Sequence, residues 1–169
     1  MNKAILGIIA VLVVGSISAY ALSPYFTEST IDEELPMDAI TQQKMEDDTM
    51  MEDDTMMESN SISYSGTFVG IGDGIHDVQG KTYTIPLKDG KEVLRLEDFK
   101  STNGPDLYVY LSADKNASNF INLGKLKANQ GNQNYEIPDE VDLDKYSQVL
   151  IWCKTFGVLF GSAEISPQI

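Results

Sequence analysis

The stretch Gln148-Val149-Leu150-Ile151-Trp152-Cys153-Lys154 decides the fold class of this 169-residue chain. In an extended backbone, alternate side chains point to opposite faces, so Val149, Ile151 and Cys153 share one face. Leu150 and Trp152 share the other. A strand that is apolar on both faces is typical of the centre of a sheet that is covered on both sides. We therefore expect a central strand here.

Further strand patterns lie on both sides of this segment. Residues 107–111 alternate between apolar and tyrosine side chains, and Asp89-Gly90 is typical of a hairpin turn. Residues 142–146 are expected to form one helical turn. The predicted strands are residues 67–71, 81–87, 92–97, 107–111, 121–126, 134–137, 148–154 and 158–165. Short strands without long helical patterns predict an all-β domain over residues 63–169, an antiparallel β-sandwich or barrel-like fold of about eight strands.

Residues 1–22 read as a membrane segment. Lys3 is followed by an uncharged, mostly apolar run over residues 4–22. As a helix, a run of about 20 residues spans the hydrocarbon core of a bilayer. The same run has the parts of a secretory signal, which ends in the small-residue triplet Ala19-Tyr20-Ala21. An N-terminal transmembrane helix and a cleaved signal peptide both remain open, and either one places everything after residue 22 on the extracytoplasmic side.

Residues 23–62 carry most of the negative charge, with twelve acids and one base. Residues 45–50 and 51–56 have the same sequence, Met-Glu-Asp-Asp-Thr-Met. A strongly charged segment with few aromatic residues buries too little surface to fold, so we expect a disordered, acidic, Met-rich linker that holds the domain away from the membrane. Loose collection of metal ions by the thioethers and carboxylates is the alternative.

The composition excludes several functional classes. A net charge of −14 excludes the usual basic surface for nucleic acid. One cysteine and one histidine exclude an intrachain disulfide, a four-cysteine zinc site and an iron–sulfur cluster. The chain has neither a Gly-x-Ser-x-Gly elbow nor a phosphate-binding loop, so an independent enzymatic activity is not indicated.

Two residues remain as candidates for chemistry, Cys153 and His76. An unpaired extracytoplasmic cysteine is unusual, because that environment oxidises or pairs exposed thiols. Cys153 is therefore either a buried small hydrophobe, a ligand, or a residue that pairs between molecules. His76 is expected in a loop, where a solvated histidine is the commoner case. If His76 is a ligand, Cys153 is its one soft partner in residues 63–169, and haem held by either residue remains open.

Residues 65–166 also contain a series of distinctive blocks: Gly66-Thr67-Phe68, His76, residues 94–99, residues 103–111, Leu123-Gly124, Leu126-Lys127, Gly131-Asn132-Gln133, Tyr135, Tyr146, residues 149–154, Phe156 and residues 160–163. Together these blocks resemble a known family, the electron transfer DM13 domain. The resemblance extends over essentially the whole predicted β domain.

The resemblance implies an extracytoplasmic domain with a redox role. In animals, domains of this family accompany DOMON and b-type cytochrome modules, and the proposed redox centre is a cysteine in a Trp-Cys-x-x-Phe block. That cysteine corresponds to Cys153, either as a bare thiol or with a bound group such as haem or a metal. Because this chain has no such modules, its electron partner is expected to be a separate protein. The alternative is a cell-surface binding or scaffolding module in which Cys153 belongs only to the core.

Overall fold

The computed structural model describes residues 5, 7–9, 11–15, 28–39 and 63–168. Residues 63–168 form two antiparallel five-stranded sheets, which confirms the predicted all-β sandwich. The ten strands are β1 (Tyr64–Thr67), β2 (Val69–Gly70), β3 (Val78–Pro86), β4 (Glu92–Ser101), β5 (Leu107–Ser112), β6 (Phe120–Lys125), β7 (Gln133–Ile137), β8 (Gln148–Cys153), β9 (Val158–Glu164) and β10 (Ser166–Pro167).

The strand order places β8, the apolar segment predicted as a central strand, at the centre of its sheet. Sheet 1 has the order β10-β1-β3-β4-β7, and sheet 2 has the order β2-β9-β8-β5-β6. Strand β8 pairs with β5 on one side and with β9 on the other. Both backbone edges of β8 are therefore hydrogen-bonded. Val149, Leu150 and Ile151 are completely buried, whereas Trp152 on the outer face is only partly buried.

The core lies between the two sheets. From β8 it contains Val149, Ile151 and Cys153, which are the residues that the alternation placed on one face. From β4 it contains Leu94 and Leu96. Complete burial of an aliphatic side chain of this size contributes about 1.5–3 kcal/mol, so each of these buried aliphatic residues stabilises the domain.

The predicted strand over residues 67–71 is wrong in one respect, because the structure divides it between the two sheets. Strand β1 pairs with β3 in sheet 1, and β2 pairs with β9 in sheet 2. Phe68 lies between them with its side chain buried against Phe99, at a ring-centroid distance of 5.5 Å. The chain changes sheets here because Phe68 is anchored in the core between them.

The hairpin and the helical turn lie where the sequence places them. Strands β3 and β4 are joined by a turn in which Gly90 has a φ of 85°, a left-handed conformation that suits glycine. At residues 142–146, the amide of Tyr146 donates to the carbonyl of Asp142 over 2.9 Å. Both features depend on short-range backbone geometry, so they are readable from local sequence.

Residues 28–39, which we call the strap, pack against the β domain. Thr30 forms a parallel bridge with Gln130, and Ala39 forms an antiparallel bridge with Leu87. The expected disorder over residues 23–62 is therefore wrong for these twelve residues. Their acidic side chains and backbone carbonyls find cationic and amide partners on the domain, which composition alone does not reveal.

The described residues near the N-terminus are helical, at positions 5, 7–9 and 11–15. Within the part of the chain that the structure describes, no helix is both long and apolar enough to cross a membrane. The other residues of the predicted segment 1–22 lie outside the described residues, as do residues 23–27 and 40–62 with the tandem repeat. The membrane segment remains a prediction.

Candidate functional site

A cavity of about 220 Å³ lies at one end of sheet 2. It brings together the two residues that the sequence singles out, Cys153 and His76, although 77 positions separate them in the chain. The other lining residues are Asn103, Gly104, Pro105, Phe156, Val158 and Phe160. The wall is therefore mostly apolar, with one thiol and one imidazole as its reactive groups.

Cys153 is the last residue of β8, and only 1% of its surface is exposed. It pairs with Leu107 of β5 and Val158 of β9. The chain then turns back within four residues, closed by a hydrogen bond of 2.8 Å from the amide of Gly157 to the carbonyl of Cys153. Gly157 has a φ of 64°, so this turn favours glycine and holds Cys153 at the floor of the cavity.

Lys154 follows Cys153 directly, but its charge lies elsewhere. Its Nζ lies 5.1 Å from the ring centroid of Tyr108. Tyr108 is paired with Trp152, so its side chain belongs to the outer face of sheet 2 rather than to the core face. The ammonium group is thereby engaged on the opposite side of the sheet from the thiol, as strand alternation predicts.

His76 is held by Asp73, a residue that the sequence analysis did not select. Asp73 Oδ1 accepts hydrogen bonds from the amides of Ile75 and His76 at 2.9 and 2.7 Å. Its Oδ2 lies 2.6 Å from His76 Nδ1. These backbone bonds, together with the bond to the imidazole, lower the pKa of Asp73 to about 2. An aspartate two to three residues before a loop histidine is an Asx-turn signal, and that signal could have identified it.

The Asp73 contact determines which imidazole nitrogen is available. An ionised carboxylate only accepts hydrogen bonds, so His76 Nδ1 is the donor and Nε2 is the acceptor in the neutral ring. The ring also packs edge-on against Phe160, with centroids 4.3 Å apart and planes at 60°. These two contacts fix the position of the ring in the cavity wall.

The remaining wall is built by the loop before β5. The amide of Lys154 donates to the carbonyl of Asp106 over 3.0 Å, and Thr155 Oγ1 donates to Asp106 Oδ2 over 2.9 Å. These bonds tie the loop to the turn after Cys153. A Cβ on Gly104 would lie 2.8 Å from side-chain atoms of Leu107 and Phe160, so only glycine fits here without displacing them.

The rim of the cavity is apolar and exposed. Phe156 is 69% exposed and Ile75, next to His76, is 71% exposed. Single exposed apolar residues are ordinary, but Phe156 lines the cavity and Ile75 is the chain neighbour of the lining residue His76. The site therefore combines a buried thiol with an accessible apolar margin.

The cavity does not suit a haem group. Pockets for cofactors and other small molecules usually have volumes of about 300–1,000 Å³, and this one is smaller. Among the residues that the structure describes, no group of three or more His, Cys, Asp or Glu side chains is arranged to hold a metal ion. Structural zinc takes four protein ligands and catalytic zinc takes three. The chemistry that the site offers is that of a thiol and an imidazole.

Comparison with known proteins gives one match. The family model described as Electron transfer DM13 matches residues 70–165, which include the whole cavity wall and all of strands β3 to β9. No curated protein and no solved structure is significantly similar to the chain.

Proposed function

The chain belongs to the electron transfer DM13 family, and on this basis we propose that Cys153 is the redox-active group of a membrane-tethered, extracytoplasmic electron-transfer component. Membership of the family points to a redox-related role. The presence of Cys153 and His76 in the wall of one cavity is the observation that carries the proposal to particular residues.

A thiol in an apolar cavity can lose an electron only if its proton has somewhere to go. An isolated thiolate is disfavoured away from water, so loss of the electron is coupled to loss of the proton. In the proposed step, the sulfur gives one electron to a haem-containing or metal-containing carrier protein. The S–H bond of Cys153 breaks and its proton leaves for a base, for which His76, the one imidazole among the residues lining the cavity, is the proposed acceptor, with Asp73 holding its ring. Return of one electron and that proton restores the thiol.

Burial of Cys153 serves this step in a second way. Oxidation of a cysteine beyond its first product requires peroxide or another thiol to reach the sulfur. With 1% of its surface exposed, Cys153 is shielded from both. The apolar rim around Phe156 and Ile75 offers an area on which a separate redox protein can dock. Electrons can cross a short distance of protein, so that partner does not have to contact the sulfur.

The test uses ferricyanide as a one-electron acceptor with the purified full chain. Stopped-flow absorbance should show about one equivalent reduced by the wild type and none by Cys153→Ala. Asp73→Asn should slow the reaction, because the imidazole loses the group that positions it. Asp114→Asn is the matched control: Asp114 also accepts amide hydrogen bonds in an exposed loop, from Asn116 and Ser118, but does not line the cavity.

A binding or scaffolding module is the second candidate, because Cys153 also belongs to the hydrophobic core cluster. A purely structural cysteine would leave ferricyanide unreduced and would react with an alkylating reagent only after denaturation. Equal rates for the wild type and Cys153→Ala would therefore end the redox proposal and favour this second function.

The proposed location rests on the apolar run of residues 4–22 and on the acids that follow it. The single Lys3 before the run is expected to stay in the cytoplasm. Protease added to intact cells from which the wall has been removed should digest the chain after residue 22. Complete protection of the chain would contradict an extracytoplasmic domain.

A further inference from the structure

The strap pairs with the domain like an added strand. Gln130 lies at the centre of this pairing: its amide donates to the carbonyl of Ser29 over 3.1 Å, and its carbonyl accepts from the amide of Ile31 over 3.0 Å. The amide of Glu33 then donates to the carbonyl of Asn132 over 2.9 Å. Extended peptides bind to other proteins through this kind of main-chain pairing, while their side chains confer specificity.

Carboxylates of the strap meet matching groups on the domain. Glu33 Oε1 and Oε2 lie 2.8 and 2.9 Å from Lys127 Nζ, and Oε2 accepts the amide of Asn134 over 2.7 Å. Burial acts to raise the pKa of Glu33, but these bonds and the charges of Lys127 and Arg95 more than offset it, so the pKa is lowered. Asp32 also accepts a hydrogen bond of 2.7 Å, from Asn132 Nδ2.

Arg95 of β4 joins the strap to sheet 1. Its side chain is only 5% exposed. Nη1 donates to the carbonyl of Glu33 over 2.6 Å and to Asn134 Oδ1 over 3.0 Å, while Nε donates to Glu97 Oε2 over 2.9 Å. A buried guanidinium needs acceptors, and the strap supplies one of them, the carbonyl of Glu33.

Gly131 is shaped for the same contact. It has a φ of 97°, and a Cβ at this position would collide with the carbonyl oxygen of Ile31 in the strap. The backbone of the domain thus leaves room for another backbone here. Close approach of a second chain is a recurring reason for glycine next to a strand.

The residues on either side of residues 40–62 both contact the same end of strand β3. Ala39 at the end of the strap bridges Leu87, directly after β3. On re-entry, Ser63 Oγ donates to the carbonyl of Thr84, and the amide of Tyr64 donates to Thr84 Oγ1. Residues 40–62 therefore connect two points near the same end of β3, and the strap is held by its own contacts on both sides of that connection.

From these contacts we propose that Arg95, Lys127 and residues 129–134, together the strap site, form a binding site for an extended acidic peptide. The strap occupies this site as a ligand of its own domain. The covalent connection through residues 40–62 is not needed to hold it there. This proposal does not depend on redox activity at Cys153.

The test cuts that connection in the full chain. A site-specific protease sequence is inserted between Met50 and Met51, and the purified protein is cleaved in detergent micelles. On size exclusion with light scattering at about 0.15 M salt, which screens exposed charges, the two fragments should elute together, one copy of each. Glu33→Lys should weaken the association at least about tenfold, since it replaces a charge-assisted pair by a repulsion.

The matched control is Glu34→Lys, which makes the same charge change one residue away. The structure gives Glu34 only backbone contacts, through its carbonyl. This control should therefore co-elute like the unmodified strap. The exchanged pair Glu33→Lys with Lys127→Glu should recover part of the affinity that either single change loses. Fluorescence of Trp152 verifies that each variant is folded.

Three results would overturn the proposal. Separation of the fragments with an unmodified strap would show that chain connection is required. Equal disruption by Glu33→Lys and Glu34→Lys would reduce the contact to general charge attraction. A complex with two copies of each fragment would assign the site to the strap of a second molecule.

Discussion

Cys153 and Arg95 are both almost completely buried, yet their surroundings are opposite. Cys153 is a free cysteine that lies in a mostly apolar cavity wall. Arg95 donates to a carbonyl, an amide oxygen and a carboxylate. A neutral thiol tolerates an apolar setting, whereas a guanidinium cannot be buried without acceptors. Arg95 therefore serves the structure through its hydrogen bonds, whereas the thiol of Cys153 is free.

The largest expected change in the free energy of unfolding comes from substitution of Arg95. Arg95→Met keeps the apolar stem but removes the donor to the Glu33 carbonyl and leaves the Glu97 carboxylate with its remaining hydrogen bond from the Tyr83 hydroxyl. Arg95 is buried but Glu97 is 33% exposed, so we expect a loss of about 2–3 kcal/mol, mainly from the acceptors that Arg95 leaves unpaired, which urea unfolding should detect. Lys100→Met on the exposed face of the same strand is the control, with a change within about 0.5 kcal/mol. Equal losses of unfolding free energy in Arg95→Met and Lys100→Met would show that the hydrogen bonds of Arg95 contribute nothing specific to stability.

A smaller effect is expected at Cys153. Cys153→Ser is nearly isosteric but places a hydroxyl in an apolar cavity, so we expect the free energy of unfolding to fall by about 1–2 kcal/mol. The measurement is again urea unfolding at neutral pH. An unchanged stability would mean that the cavity already offers a polar partner or water at this position. The surroundings of Cys153 would then be polar, like those of Arg95.

Acid should weaken the strap by roughly 1 kcal/mol or less, in keeping with a partly exposed charged hydrogen bond. The pKa of Glu33 is lowered in the folded state, so its contribution is complete above its ordinary value of 4.5 and is lost as pH falls below that value. Hydrogen exchange at the amides of Ile31 and Glu33 should accelerate between about pH 5 and pH 3, after correction for intrinsic rates. Glu33→Gln should abolish this pH dependence and Glu34→Gln should preserve it.

The smallest effect is expected from deletion of residues 45–57. If contacts alone hold the strap, a shorter connection between Ala39 and Ser63 changes the free energy of unfolding by less than about 1 kcal/mol, because closure entropy varies only slowly with loop length. Thermal unfolding of the deletion variant against the full chain provides the measurement. A loss of several kcal/mol would show that the repeat itself packs on the domain. The contact between the acidic segment and the domain would then extend beyond the strap.

The features that depend on local sequence pattern were predictable from the sequence. Alternation in residues 148–154 predicted a central strand and its two faces, and Asp89-Gly90 predicted the β3–β4 turn. The change of sheet at Phe68 was not predictable, because a short apolar run has the same pattern whether it joins one sheet or two. The role of Asp73 was also missed, because this residue acts through its contact with the imidazole of His76 and belongs to no strand pattern.

What the sequence by itself determined is the all-β class, the core faces of its strands and the family to which the chain belongs. These follow from periodicity and short blocks, which act over a few residues. The tertiary structure alone decided which distant groups meet. It placed His76 and Cys153 in one cavity wall, and it brought the acidic strap to Arg95 and Lys127. Composition predicts disorder for an isolated acidic segment because it counts the segment's own charges, whereas burial and pairing depend on partners sixty to a hundred residues away.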